Sequence, residues 1–437
     1  MTEETGLGKP VNMPASIDAR SYYQATAHPF AQQADLEGDQ TCDVCVIGAG
    51  YTGLSAALEL AEAGYSVIVL EARTVGHGAS GRNGGQVCTG FSPGQQRLEA
   101  QLGKDDARKC FAIAEEGKTL ITSRIEKHKI ACDLQWGYMH AAAKPSHENE
   151  LKAQKDEWDA LGYTDTQLLS KAELEEKLGT KAYHGALREG GSGHFHPLNY
   201  CLGIARAAIA AGAKIFENSP VLSVETEGKA VARTAKGTVS AKFMVIAGNA
   251  YLGRTVPKLY GRVMPVTSYI VATERLGENR ARALIRDNEA VANTNFIVDY
   301  FRITADTRLL FGGRASYSTL EPPNLGSYMK PRLTRVFPQL KDAAIDFAWG
   351  GFIAITSNRL PDLGRIAPNV YYAHGYSGHG VVLSGMYGKI IADCIRGQAE
   401  KFDLLSRVKH LPFPGGPLRT PLLVAAMLYY RLKDALS

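Results

Sequence analysis

No run of lysine or arginine in these 437 residues is long enough to make a nucleic-acid surface, and the formal net charge is only +5. Nucleic acid is therefore not expected as a partner, although mild basicity can help attract an anionic substrate. Long hydrophobic runs are also lacking. The stretch Leu422 to Tyr430, bounded by Arg419 and Arg431, is too short to cross a bilayer. Packing of the 401–437 tail on the body or across a dimer is favoured over peripheral membrane contact, and the oligomeric state is left open. A secretory leader would place positive charge where Glu3 and Glu4 stand, and no apolar segment follows them, so a cytoplasmic location is expected. Cysteine is scarce and scattered, at Cys42, Cys45, Cys88, Cys110, Cys132, Cys201 and Cys394. That spacing makes neither a disulfide framework nor a paired zinc-ligand pattern, so no metal is expected. Cys42 and Cys45 fit C-x-x-C formally, but residues three apart on a strand face opposite sides, and both read as buried small apolar residues. What remains, 45% apolar and 21% charged, is an ordinary globular composition. The length calls for two intertwined lobes with room for a large cofactor.

The residues that carry chemistry begin at Thr41. Asp43 to Ile47 is a short, β-branched apolar run that breaks into Gly48-Ala49-Gly50-Tyr51-Thr52-Gly53 and then an Ala/Leu-rich helical pattern. In that strand, turn and helix, Gly48 permits the tight turn, Gly50 lets backbone approach a pyrophosphate, and Gly53 allows close helix–strand packing. Val67 to Leu70 reads as the second parallel strand, with Glu71 at its end to accept ribose hydroxyl protons. Behind the acid lies a second glycine-rich stretch, Gly76 and Gly78 followed by Ser80-Gly81-Arg82-Asn83-Gly84-Gly85-Gln86. Backbone amides there could line a ribityl-pyrophosphate and the edge of an isoalloxazine ring, which favours FAD over NAD.

The rest of the chain divides by its periodicity. Residues 1–40 read as an arm anchored by Ser21-Tyr22-Tyr23, 41–96 as a first nucleotide-binding part, and 97–197 as a helical insertion with a capping box at Ser170 to Glu173. Residues 198–261 form a second nucleotide-binding part. It holds an apolar helix from Leu198, a hairpin over Val221 to Thr234, and the strand Phe243 to Ile246 ending in Ala247-Gly248-Asn249. Residues 262–347 are alternating and β-rich, which predicts an antiparallel sheet. Residues 348–400 return to the nucleotide lobe. There Val370 to Ala373 breaks into His374-Gly375-Tyr376-Ser377-Gly378-His379-Gly380-Val381 before another apolar helix. Such a helix N-terminus stabilises negative charge on a reduced flavin. His379 could contact ring or substrate, or could simply stabilise its loop. The fold class expected is α/β, a Rossmann-like FAD lobe interleaved with an α+β substrate lobe.

The Gly48 fingerprint with Glu71, the segment GASGRNGGQ from Gly78 to Gln86, and GYSGHGV from Gly375 to Val381 resemble the FAD-dependent amine and amino-acid oxidases of the D-amino-acid oxidase superfamily. The resemblance runs over roughly residues 20–400. Within that group Tyr22-Tyr23, Asn358 to Arg365 and GYSGHGV are most similar to the γ-glutamylputrescine oxidases. It implies FAD at Gly48, Gly50, Tyr51, Thr52, Gly53, Glu71, Ala72, Arg73, Ser80, Gly81, Arg82, Asn83, Gly84, Gly85 and Gln86. Val221 would lie beside the adenine, Gly248 near the pyrophosphate, and Gly378, His379, Gly380 and Val381 at the ring. Sarcosine oxidases hold flavin through a cysteine in their carboxyl-terminal half. Here that half has only Cys394, inside the apolar helix, so the resemblance implies non-covalent FAD.

The chemistry expected is oxidation of a small-molecule amine, by hydride transfer to the flavin and hydrolysis of the iminium. O2 or another acceptor then reoxidises the cofactor. The preferred substrate implied is γ-glutamylputrescine or a related γ-glutamyl amine of polyamine catabolism. A D-amino-acid dehydrogenase or a glycine/sarcosine-type oxidase is the alternative. His379 is the candidate at the reacting centre. Tyr269, Tyr300, Arg302 and Arg359 are candidates for the substrate, because an arginine fork binds a carboxylate in bidentate fashion. Trp349 reads as core.

Overall fold

The computed structural model describes residues 14–316 and 321–414. The apolar tail stretch Leu418 to Leu436 lies outside them. The strand Gln40–Ile47 pairs in parallel with Val67–Leu70 on one side and Thr238–Ile246 on the other, with Ile47 level with Leu70 and with Ile246. Val370–His374 extends the parallel set beyond Thr238–Ile246, and Lys214–Phe216 extends it beyond Val67–Leu70. Asp362–Ala367 closes the first of these edges antiparallel, and the hairpin Ser223–Glu225 and Ala230–Arg233 pairs off Thr238–Ile246. Strands this apolar must be covered on both faces. One face lies under the cluster holding Val44, Val46 and Val69, and the other under that holding Cys45, Ile68 and Met244.

Two helices on the first face are driven together by missing side chains. The fingerprint helix Tyr51–Glu62 packs against Gly380–Ile395, where a Cβ on Gly388 would stand 2.2 Å from the Thr52 carbonyl oxygen. Ser55 Oγ donates to the Gly385 carbonyl at 2.5 Å across the same contact. Both helices therefore begin side by side, at the carboxyl ends of the parallel strands.

The second sheet runs, in spatial order, Ile345–Ile355, Met264–Thr273, Leu309–Ser316, Tyr300–Ile303, Ala290–Asn293, Gln135–Ala141, Gly185–His194 and Gln86–Val87. Thr166–Ser170 is attached to Gly185–His194. The pairing is antiparallel except between Ala290–Asn293 and Gln135–Ala141. This sheet draws on more of the chain than the sequence pattern suggests. Residues 97–197, read as a helical insertion, supply three of its strands as well as the helices Lys104–His128, His147–Leu161 and Lys171–Lys177. The capping box at Ser170 and Glu173 is present. Glycine hid the strand signal. Gly185–His194 contains Gly185, Gly190, Gly191 and Gly193, and a Cβ at Gly193 would stand 2.2 Å from the Gln135 carbonyl oxygen. Trp349 to Thr356, read as a return to the nucleotide lobe, instead belongs largely to the edge strand Ile345–Ile355 of this sheet.

Ser21 caps Tyr22–Thr26 through a reciprocal capping box with Gln24, and both tyrosines are buried. Cys42 and Cys45 are free thiols, but they pack against the same apolar cluster rather than on opposite faces. Both the Asp43 and Val44 N–H groups reach the Ser66 carbonyl, an irregularity that upsets the alternation. Among the described residues no helix is long and apolar enough to cross a membrane, and no group of His, Cys, Asp or Glu is placed to hold a metal ion.

Candidate active site

A cavity of about 850 Å³ lies between the two sheets and within the two helix N-termini, inside the range of about 300–1,000 Å³ usual for ligand pockets. Its first arm follows the fingerprint. Gly48 has φ +104°, and a Cβ there would meet the Ala247 carbonyl oxygen at 2.8 Å. On Gly53 a Cβ would stand 1.9 Å from the Gly48 oxygen. The cradle exists only with glycine at these positions. The Glu71 carboxylate accepts the Ala49 N–H at 2.8 Å on one oxygen and the Arg73 N–H at 3.0 Å on the other, leaving lone pairs for hydroxyl donors. Burial pushes this carboxyl above the ordinary range, against the pull of those N–H groups. Gly48, Gly50, Tyr51, Thr52, Glu71, Ala72, Arg73, Val221 and Gly248 all line this arm. Gly53, Gly81 and Gly85 do not. They shape the backbone behind it, a Cβ on Gly81 falling 2.2 Å from the Gly76 oxygen and one on Gly85 2.2 Å from the Phe195 oxygen.

The middle of the cavity is made by the second glycine loop. Ser80, Arg82, Asn83, Gly84 and Gln86 line it, as do Gly378, His379, Gly380 and Val381 at the head of Gly380–Ile395. Ser80 Oγ accepts the Tyr51 N–H at 3.0 Å, and Asn83 bridges the Ala79 and Ser80 carbonyls to the Gly85 N–H. The Arg82 guanidinium is largely spent on backbone, donating to the His77 and Ala19 carbonyls at 3.1 Å. Tyr376 ties the two helix heads together, its hydroxyl 2.7 Å from Thr52 Oγ1. His379 hydrogen-bonds the Thr89 carbonyl through Nε2 at 3.0 Å, and burial holds its pKa below the ordinary value, so the ring stays neutral. Shape, exposed helix N-termini and the acid at the first arm fit a flavin dinucleotide.

The four expected substrate residues separate. Tyr300 lines the cavity, its ring lying over Gly84 and Gly312, where a Cβ would approach to 2.7 and 2.0 Å. Arg359 lines it too, at a backbone φ of +65°, with its guanidinium 5.6 Å above the Phe296 ring and its buried Nε without a hydrogen-bond partner. Tyr269 and Arg302 are corrections. Ser268 and Ile270 face the cavity, so the strand's period of two turns Tyr269 to the opposite side, into the cluster behind the sheet. Arg302 is 4% exposed and its fork is consumed by Gly84 O at 2.8 Å, Phe195 O and Tyr23 Oη at 3.1 Å, and Ile303 O at 3.4 Å. It is a strut for the glycine loop. Trp349 is fully buried and donates to the Arg82 carbonyl at 3.0 Å.

Sequence reading missed the far end of the cavity, lined by Tyr138, His140, Gln95, Gln154, Glu157 and Trp158. Alternation over Trp136, Tyr138 and His140 was the available signal, concealed inside a segment read as helical.

The family described as DAO, FAD dependent oxidoreductase, matches residues 43–394. The chain is 43% identical over 419 residues to γ-glutamylputrescine oxidoreductase of Escherichia coli K12, covering 95% of this chain and 98% of that protein. It is 41% identical over 423 residues to a probable oxidoreductase OrdL of Haemophilus influenzae, covering 95% and 97%. Among solved structures, glycine oxidase from Geobacillus kaustophilus superposes with a TM-score of 0.72 at 24% identity, covering 85% of this chain and all of that one. The likeness in fold, the fingerprint cradle and the family match over most of the length agree, and the chain belongs to the DAO family of FAD-dependent oxidoreductases.

Proposed function

We propose that this enzyme oxidises a primary amine carrying a carboxylate remote from the reacting carbon, with γ-glutamylputrescine as the preferred substrate. The observation that carries the reading is Arg359, whose buried Nε is unpaired at the cavity wall while Arg302 is fully engaged elsewhere. An unpaired guanidinium facing a cavity is a site for a carboxylate. The 43% identical relative, a γ-glutamylputrescine oxidoreductase, supports the same substrate class.

When bound, FAD supplies an acceptor for the hydride of a C–H adjacent to an amine, and O2 takes the electrons onward as hydrogen peroxide. The residues do the rest. Gly48, Gly50 and Glu71 hold the nucleotide, and the heads of Tyr51–Glu62 and Gly380–Ile395 present N–H groups to negative charge. Tyr300 and Tyr376 wall the middle of the cavity. Arg359 anchors the carboxylate and so orients the far end of the substrate. Hydrolysis of the product iminium gives an aldehyde and ammonia. The cofactor is held without a covalent bond to Cys394, which sits in the Gly380–Ile395 helix, accepts from Arg365 Nη2 at 3.0 Å and is not among the cavity-lining residues.

The test is anaerobic bleaching of the bound flavin by γ-glutamylputrescine, putrescine, glycine, sarcosine and D-amino acids, with peroxide measured on admitting air. γ-Glutamylputrescine should bleach fastest and release peroxide. Arg359→Met should raise KM for it by about tenfold or more, equivalent to about 1.4 kcal/mol of lost charged hydrogen bonding, and leave putrescine nearly unaffected. Equal effects on both amines would overturn the carboxylate assignment.

A further inference from the structure

Beyond the residues expected at the site, the cavity wall carries a histidine backed by a buried acid. His140 lies on Gln135–Ala141, lines the cavity with 23% of its side chain exposed, and places Nε2 2.8 Å from Glu189 Oε1. Glu189, on Gly185–His194, is completely buried, and its other oxygen accepts the Tyr163 hydroxyl at 2.9 Å. We propose that His140 Nδ1 takes the proton from the substrate ammonium, with Glu189 as the positioning residue that fixes the ring's tautomer.

The argument is one of proton inventory. An alkylammonium has a pKa near that of lysine, about 10.4, so the amine arrives protonated at neutral pH, and a hydride cannot leave the carbon beside a cationic nitrogen. The neutral amine must be made in the cavity. A carboxylate is acceptor only, so the nitrogen that faces Glu189 carries the ring proton and Nδ1 is left as the base. In the transfer an N–H bond of the ammonium breaks, its electron pair stays on the amine nitrogen, and a new N–H bond forms at Nδ1. Burial pushes Glu189 up, but its hydrogen bonds with His140 and Ser192 and the nearby Lys118 ammonium pull the other way and leave the carboxyl below its usual range. It is therefore an anion behind the ring.

The surroundings suit this role. Tyr138 from the same strand lies 4.8 Å from the imidazole, and Trp158 from His147–Leu161 meets it edge-on at 5.7 Å. Glu157 of that helix lines the same cavity, its carboxyl pushed up by burial. From Lys104–His128, Lys118 is buried, paired with Glu115 at 2.6 Å and bonded to Thr89 Oγ1 at 2.7 Å, with its ammonium 4.5 Å over the Tyr163 ring. Cys88, its thiol raised to about 12 by burial, stays protonated, and His379 is a further titratable group on this side. His379 has its Nε2 on a carbonyl with no carboxylate behind it, and burial holds its pKa below the ordinary value.

This inference rests on the amine reading above, and its test separates the two. Flavin reduction by γ-glutamylputrescine is followed anaerobically from about pH 6 to about pH 10 in the wild-type holoenzyme, His140→Gln and Glu189→Gln. At the alkaline end, where roughly a quarter of the amine is already neutral, His140→Gln should reduce within about fourfold of wild type, and near pH 7 it should fall about 100-fold below it. Independently, the imidazole nitrogens in 15N-histidine-labelled protein without substrate should include, beside the His379 ring, a further ring with Nε2–H and bare Nδ1. That signal should vanish in His140→Gln and change tautomer in Glu189→Gln. A His140→Gln profile parallel to wild type, or a proton on His140 Nδ1 in the resting enzyme, overturns the proposal alone. A wild-type flavin bleached by none of the amines overturns the amine reading and the proposal together.

Discussion

The two walls of the cavity are built on different rules. The nucleotide wall is backbone: Gly48, Gly50 and Gly84 present main chain, two helix heads present N–H groups, and the one acidic side chain, Glu71, is pinned by main-chain donors. The substrate wall is side chain: Tyr138, His140, Tyr300, Arg359 and Glu157 project from two strands, a turn and a helix. A backbone cradle tolerates almost no substitution where a Cβ would fill it. A side-chain wall can change its chemistry residue by residue while the fold stands. The difference explains how one fold can persist while the chemistry of its site changes.

The contrast can be broken most forcefully at Gly53. A Cβ there would meet Gly48 backbone at 1.9 Å, and backbone cannot swing aside as a side-chain tip can. Gly53→Ala should therefore cost more than about 4 kcal/mol of stability and leave the protein colourless. Thermal melting and the ratio of flavin to protein absorbance measure both. A yellow variant with the wild-type Tm would show that the cradle is looser than its geometry.

Arg302→Met is the next largest. The substitution strips donors from the Gly84 and Phe195 carbonyls and from Tyr23, in a place water does not reach, and should cost about 3 kcal/mol in urea unfolding. Its effect on KM should be the same for γ-glutamylputrescine and for putrescine, in contrast to Arg359→Met. Selective loss of the carboxylated substrate in Arg302→Met would return Arg302 to the substrate wall.

Legibility in the sequence follows the same division. The cradle could be read because tight turns and close approaches demand glycine at fixed spacing, and Glu71 must end the second strand. The parallel strands could be read because burial on both faces makes them continuously apolar. The strands Gln135–Ala141 and Gly185–His194 were lost inside a helical segment, since glycine weakens the β signal, and His140 was lost with them. Its partner Glu189 is distant in sequence and brought near only by the sheet. Arg302 was visible but its role was not: nothing local distinguishes a guanidinium that grips carbonyls from one that waits for a ligand.

The finest error is one of phase, and it yields the smallest expected effect. Tyr269 stands between Ser268 and Ile270 on Met264–Thr273, and a strand shows only alternate residues to one side. The structure turns the tyrosine into the cluster behind the sheet, 6.5 Å from the Tyr328 ring. Tyr269→Phe keeps that packing, so kcat/KM for γ-glutamylputrescine should stay within about twofold of wild type and stability within about 1 kcal/mol. Ser268→Leu, one residue away and facing inward, should depress kcat/KM more strongly with little change in Tm, because the added volume enters the cavity. If the two variants exchange these outcomes, the register of this strand is inverted, and the substrate wall must be redrawn with Tyr269 on it.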